Sequence, residues 1–296
     1  MSSPRIIQSL WTWPTRARGS RQLIGSWQQK SYHFMSWAYS CLLLRRHYEH
    51  VELYTDTWGK HLLIDKLRLP YTAVHVVLDE VTAPSPALWA RGKLSVIAMQ
   101  EAAFLHLDGD VFAFAPFGES LENAPIAVQH IEENYPYYSP GIRYMQEHFG
   151  YLPEVLKTHW EEAAGVYNAY NCGIVGGQDL AFMKQFALEA LRLIEENAGA
   201  IKPGAPELNI IYEQHLLYCL AKQEGAEVNC YRSNIPASHE GLTSLQGAPR
   251  RNTYVHPVAS YKKSPSFCLD LKNRLQREYP EYYYRIQHLA ADFALI

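Results

Sequence analysis

Two carboxylates one residue apart, Asp108 and Asp110, are the most chemically suggestive pair in the chain. They follow the apolar run Phe104-Leu105-His106-Leu107 and flank Gly109. At the end of a buried strand, this spacing lets one carboxylate chelate a divalent cation while the other works through water or a sugar hydroxyl. Mg²⁺ or Mn²⁺ held in this way keeps several waters and takes further oxygens from substrate phosphates. Asp-Gly between apolar runs also encodes a hairpin turn, and the residues alone weigh the two readings about equally.

A second pair lies late in the sequence. His256 follows the short apolar stretch Tyr254-Val255, and Lys262 comes six residues later. An imidazole ligates borderline cations such as Mn²⁺, and an ammonium is a natural phosphate partner. A single histidine is more often a hydrogen-bonded structural residue, so its weight comes from the pairing with the aspartates. Asn171-Cys172-Gly173 offers an amide for hydroxyls beside a backbone that a ligand can approach closely, and it reads equally as a strand running into the Gly176-Gly177 turn. Glu213-Gln214 sits on a predicted helix, where a carboxylate and an amide could face a sugar or simply form a solvated patch. Lys93, on the helix preceding the Asp108 strand, is a weaker candidate.

These residues need elements to hold them. Predicted strands at 6–10, 51–55, 73–78 and 102–107 alternate with predicted helices at 34–45, 58–67 and 89–100. That alternation implies an α/β fold with a largely parallel sheet. Ligands of such sheets bind beyond the carboxyl ends of the strands, which nominates Ser9 and Trp11, Thr55 and Asp56, and Asp108 to Asp110. The second half is less regular. A strand is expected at 127–131, a Tyr/Pro-rich loop at 134–144, long helices at 178–196 and 207–223, and short strands at 228–231 and 253–255. The stretch 15–30 reads as a loop and 268–296 as a helix packed on the outside. No repeat or linker divides the chain, so residues 1–296 are expected to form a single domain.

The composition bounds the function classes. A net charge of −3 gives no electrostatic pull toward nucleic acid. Five scattered cysteines without a Cys-x-x-Cys pair imply neither a disulfide framework nor a structural zinc site, which makes a reducing cytoplasm the default. No apolar run is long enough for an integral membrane segment. There is no P-loop, no Gly-x-Gly-x-x-Gly and no Gly-x-Ser-x-Gly, and His239-Glu240 lacks the second histidine of a zinc-protease helix.

Taken in order, Asp108, Asp110, Asn171, Gly173, His256 and Lys262 resemble the motif set of the GT-A glycosyltransferases, within them the glycogenin and bacterial galactosyltransferase type. The segments Gln8-Ser9-Leu10-Trp11 and Leu53-Tyr54-Thr55-Asp56 also look like a bacterial transferase-like family. The resemblance covers roughly residues 5 to 265. It implies a Rossmann-like, mixed and mostly parallel sheet flanked by helices, and transfer of a hexose from a nucleotide-diphosphate donor, UDP-sugars favoured, to a carbohydrate or other hydroxyl acceptor. It implies Mn²⁺ or Mg²⁺ on Asp108, Asp110 and His256, donor contacts from Ser9, Trp11, Thr55, Asp56, Lys93, Asn171, Gly173 and Lys262, and catalytic support from Glu213 or Gln214. Tyr135, Tyr137 and Tyr138 would line the acceptor side. The chain departs from the type in having Glu213-Gln214-His215 in place of Asp-Gln-Asp, and Pro257-Val258-Ala259-Ser260 in place of an aromatic-Gly segment. The alternatives are a metal-dependent phosphohydrolase and a non-catalytic GT-A-like protein that binds nucleotide sugars.

Overall fold

The computed structural model describes residues 4–18, 26–163, 165–202, 204–205, 207–233 and 242–292. It has an α/β fold built on a seven-stranded, mostly parallel sheet flanked by helices. The strands are β1 (Ile6–Leu10), β2 (Val51–Thr55), β3 (Ala73–Val76), β4 (Phe104–Leu107), β5 (Phe112–Ala113), β6 (Ile126–Glu132), β7 (Ala169–Gly177), β8 (Val228–Cys230) and β9 (Tyr254–Val255). The chain divides into two compact units, one made of residues 1–79, 107–117 and 238–296, the other of 80–106 and 118–237.

In the first unit the strand order is β3-β2-β1, all parallel, with Ser9 beside Tyr54 and Leu10 beside Thr55. The helix Lys30–His47 makes the β1-to-β2 connection. Residues 33–44 are all buried, so this helix is enclosed on every side rather than amphipathic. The helices Pro265–Glu278 and Pro280–Asp292 supply much of that enclosure. Phe267, Cys268, Leu271, Leu275, Tyr282, Tyr283, Ile286 and Leu289 join the core cluster that contains Phe34, Trp37 and Leu43. The C-terminal stretch is therefore two helices that help build the core, where one outer helix was expected. Residues 13–17 form a short helix that runs into the stretch 15–30 expected as a loop, and part of that stretch, like His239-Glu240, lies outside the described residues.

β5 and β9 form a two-stranded antiparallel ladder, pairing Phe112 with Val255 and Ala113 with Tyr254. The backbone N–H of Phe114 extends it by donating to the Thr253 carbonyl at 2.8 Å. All four strand residues are fully buried. Burial on both faces erases the alternating pattern that marks a strand in sequence, and two residues are too few to show a period.

In the second unit the order is β4-β7-β6-β8. β6 and β7 are antiparallel with an irregularity between Val128 and His130, and β8 runs parallel to β6. β7 is a nine-residue strand buried throughout, so Asn171 and Gly173 lie within a strand. The expected Tyr/Pro-rich loop at 134–144 is largely the helix Tyr138–His148, whose Pro140 falls in the first turn, where its missing N–H costs no intrahelical bond. A further helix spans Glu154–Glu162. The expected helix 207–223 is a π-turn, Ile211–His215, that runs into the α-helix Leu216–Glu224. Among the described residues no helix is long and apolar enough to cross a membrane.

Candidate functional site

The first unit gathers one cluster of ionisable side chains from sequence segments far apart. Asp108 and Asp110 follow β4 directly, and His256 follows β9. Because Phe112 pairs with Val255 in an antiparallel register, continuing the ladder sets His256 opposite Val111, next to Asp110. Ligand atoms of Asp108, Asp110 and His256 lie within 4.8 Å of one another, a group able to hold a metal ion. His256 Nε2 is 3.5 Å from Asp110 Oδ1, and Lys262 Nζ is paired with Asp110 Oδ2. Two carboxylates and one imidazole make a hard, mostly oxygen donor set that suits Mn²⁺ or Mg²⁺ better than a thiolate-seeking metal.

The electrostatics of the cluster are decided by its cations. Burial pushes the Asp110 carboxyl up, but Lys262 and His256 outweigh burial and hold it far below the usual carboxylate range. The cluster therefore favours the ionised form of the acid. The 108–110 turn is held from three directions. Gln8 Nε2 donates to the Asp108 carbonyl at 3.2 Å, Ser36 Oγ donates to the Gly109 carbonyl at 2.9 Å, and the Trp37 ring lies against Gly109. A Cβ on Gly109 would sit 2.4 Å from Trp37 Cε2. Glycine is needed there because an indole occupies the space of its side chain; its φ is not in the left-handed region that turn statistics favour for glycine.

The other candidates of this unit sit at the ends of β1 and β2. Trp11 stacks on Trp13 with centroids 5.3 Å apart and planes 8° apart. Thr55 and Asp56 were expected as nucleotide contacts, and both side chains are fully buried. Thr55 Oγ1 donates to the Leu10 carbonyl at 2.6 Å. Asp56 accepts from the Thr12 N–H at 2.8 Å and hydroxyl at 2.6 Å, and caps the following helix by accepting from the Gly59 N–H at 2.8 Å. These two residues tie the strand ends together.

The second unit brings Lys93, Asn171, Gly173, Glu213 and Gln214 into one buried polar network. Lys93 Nζ pairs with Glu213 Oε1 at 2.6 Å and donates to the Cys172 carbonyl at 2.5 Å. Gln214 Oε1 accepts from the Cys172 N–H at 3.3 Å, and its amide nitrogen donates to the Tyr138 hydroxyl at 3.2 Å. Asn171 Oδ1 accepts from the Gly173 N–H at 3.0 Å. The π-turn widens the helix at Glu213-Gln214, and such turns recur at functional sites.

Glu132 completes this network, and sequence reasoning missed it. Its carboxylate accepts from Asn171 Nδ2 at 2.7 Å, from the Tyr138 hydroxyl at 2.6 Å and from the Tyr137 hydroxyl at 2.5 Å. The signal was an acid closing a strand that begins Ile126-Ala127-Val128, because a carboxylate buried there must find donors. Of the three tyrosines expected to line an acceptor, Tyr135 and Tyr138 are buried and Tyr137 is exposed.

Comparison with known proteins gives three findings. No curated protein matches the sequence. Three solved glycosyltransferases are similar in structure. The glycosyltransferase GlyE of Streptococcus pneumoniae TIGR4 is 8% identical at a TM-score of 0.40, with 94% of this chain covered. The chain spans 64% of the length of GlyE. The galactosyltransferase LgtC, solved with donor and acceptor sugar analogues, is 11% identical at a TM-score of 0.42, covering 97% of this chain and 95% of its own. Mouse xyloside xylosyltransferase 1 is 9% identical at 0.38, covering 77% and 84%. The third finding is a family profile that matches residues 4–289, nearly the whole chain, and by that match the protein belongs to the family of unknown function DUF6734.

Proposed function

We propose that this protein is a divalent-metal-dependent glycosyltransferase of the GT-A type that uses a nucleotide-diphosphate sugar, with both units parts of a single catalytic domain. The observation that carries the reading is the convergence of Asp108, Asp110, His256 and Lys262 in one cluster. Nothing in local sequence requires a histidine and a lysine so distant from the aspartates to meet them.

On this reading Asp108, Asp110 and His256 hold Mn²⁺ or Mg²⁺. The bound cation supplies positive charge against the donor diphosphate, where negative charge grows as the glycosidic bond breaks. Lys262, tethered to Asp110, has the length and donors to transfer a hydrogen bond to a phosphate oxygen. The ionised state of Asp110 keeps that ligand ready without a proton having to leave. Ser9 and Trp11 are the proposed nucleotide side, with Thr55 and Asp56 fixing the strand ends that present them. Lys93, Asn171 and Gly173 belong to the proposed donor side. Glu213 or Gln214 supports the sugar or its acceptor, and the ion pair with Lys93 fixes the Glu213 carboxylate in place. Tyr137 is the tyrosine exposed enough to meet an acceptor.

The test is turnover. A panel of nucleotide sugars, UDP-sugars first, is incubated with Mn²⁺, with and without simple sugar acceptors, beside p-nitrophenyl phosphate as a phosphate ester. Metal-dependent release of nucleoside diphosphate is expected. Ester hydrolysis without donor turnover would establish a phosphohydrolase instead, and no metal-enhanced binding of any nucleoside diphosphate would remove the site.

A further inference from the structure

His33 was not among the residues nominated by the sequence. It lies in the first turn of the enclosed helix Lys30–His47 and is nine-tenths buried. Its Nε2 has no hydrogen-bond partner among the described residues. A buried polar atom left unpaired carries a desolvation cost, so a fold that retains one invites the question of what fills its valence.

The surroundings of His33 answer it. One turn further along the same helix, Ser36 bonds the Gly109 carbonyl and Trp37 lies on Gly109. The His33 ring meets Trp37 edge-on, with centroids 6.4 Å apart. At the other end, the chain just before the helix is fastened to the segment carrying Lys262. Gln28 Nε2 donates to the Lys263 carbonyl, and Trp27 packs against Phe267 with centroids 6.0 Å apart. His33 is thus bracketed by the aspartate turn on one side and the lysine segment on the other. The charges agree with this placement. Burial first and then the Lys262 ammonium lower the imidazole, the Asp110 carboxylate partly offsets them, and the net result is about 4. The ring is therefore neutral at ordinary pH, with one N–H to give.

We infer that His33 is a positioning residue of the metal and diphosphate cluster, its imidazole N–H donating to an oxygen of the loaded site. The inference rests on the proposed metal-binding role of Asp108, Asp110 and His256. His33 lies outside that ligand group, so its partner is an oxygen carried in with the cation, either a metal-bound water or a diphosphate oxygen. A neutral donor suits both, because it orients the oxygen without adding a second positive charge beside Lys262.

Calorimetry on the full chain tests the inference with Mn²⁺ alone and with Mn²⁺ plus inorganic pyrophosphate. His33→Phe is expected to weaken binding about 10-fold, while His33→Gln, which keeps an N–H near the Nε2 position, retains most of it. Weakening with Mn²⁺ alone assigns the contact to a metal-bound water, and weakening only with pyrophosphate assigns it to a phosphate oxygen. Wild-type affinity of His33→Phe in both titrations overturns the inference and leaves the metal reading standing. A wild-type protein that binds neither probe overturns both. Should His33→Phe fail to fold, the ring nitrogen resonance of His33 in the wild type is followed on addition of Mg²⁺ and pyrophosphate. A shift seen in the wild type and lost in Asp108→Asn supports the contact, and an unmoved resonance overturns it.

Discussion

The contact between Trp37 and Gly109 predicts a large effect from one methyl group. In Gly109→Ala the new Cβ would lie 2.4, 2.5 and 2.6 Å from three atoms of the indole, where ordinary contact begins at 3.4 Å. Something must open by about 1 Å, an overpacking of the kind that costs about 1–3 kcal/mol. The indole has little room to yield, because it is 6% exposed and belongs to the buried core cluster. The displacement therefore falls on the 108–110 turn, whose side chains are the proposed ligands. Metal bonds tolerate errors of only about 0.2 Å, so a turn displaced several times as far loses its grip on the ion. Gly109→Ala is expected to lower the urea midpoint and to weaken Mn²⁺ binding about 10-fold or more, as misplaced supporting groups do. Urea titration and calorimetry on the same preparation measure the two effects. Trp37→Leu combined with Gly109→Ala should recover part of the stability lost by the glycine change, giving a nonzero coupling in a double-mutant cycle. Wild-type stability and Mn²⁺ affinity in the single variant would show that the indole does not confine the turn.

Three further outcomes follow from the buried charges. Asp110→Asn should leave the protein folded, since Lys262 is partly exposed and can turn to solvent, while abolishing any rise in melting temperature on adding Mn²⁺; an unchanged rise would exclude Asp110 as a ligand. Lys93→Met strips the partner from Glu213 in a pair at most 5% exposed, and breaking such a pair costs about 3–5 kcal/mol. Lys93→Met/Glu213→Gln should be more stable than Lys93→Met alone in urea, and the reverse order would contradict the pairing. Burial lowers His33 and His215 to about 4, so the unfolded chain, with histidines near 6.5, binds more protons between those values. Their contribution to stability is complete above about pH 6.5 and is lost progressively as the pH falls toward 4. Urea midpoints taken across that range should decline, with a shallower slope in His215→Gln; an equal slope would mean His215 is not held neutral.

The elements that were legible in sequence are those with a long local pattern. β1, β2, β3 and β4, with the helices between them, follow from apolar runs bounded by breakers, and these place Asp108 and Asp110 at a strand end. The meeting of those aspartates with His256 depends on the β5–β9 ladder, two residues against two, which leaves no periodic trace. The resemblance supplied the pairing that local pattern could not. Glu132 stayed hidden because its meaning lies in Tyr137, Tyr138 and Asn171, donors that come from a helix and a neighbouring strand. Gly109 reads in sequence as half of an Asp-Gly turn signal, whereas its reason is a ring 72 residues earlier in the chain. His33 was invisible for the opposite cause. In a helix buried on all sides no face stands out, so a histidine among apolar neighbours looks like one more core residue.

The β5–β9 ladder also sets the order in which the cluster can come into being. Asp110 and His256 are about 150 residues apart, and joining the ends of a loop that long is a slow, non-local step for a chain to take. During synthesis the aspartates emerge first and wait through the making of residues 118–237, which belong to the other unit, before the imidazole arrives. A nascent or prematurely ended chain thus holds two carboxylates without their nitrogen partner or Lys262. If the proposed site holds Mn²⁺, tight capture of the cation would be a property of the finished polypeptide alone, and Mn²⁺ affinity would read out how much of a preparation has completed its synthesis and closed that loop.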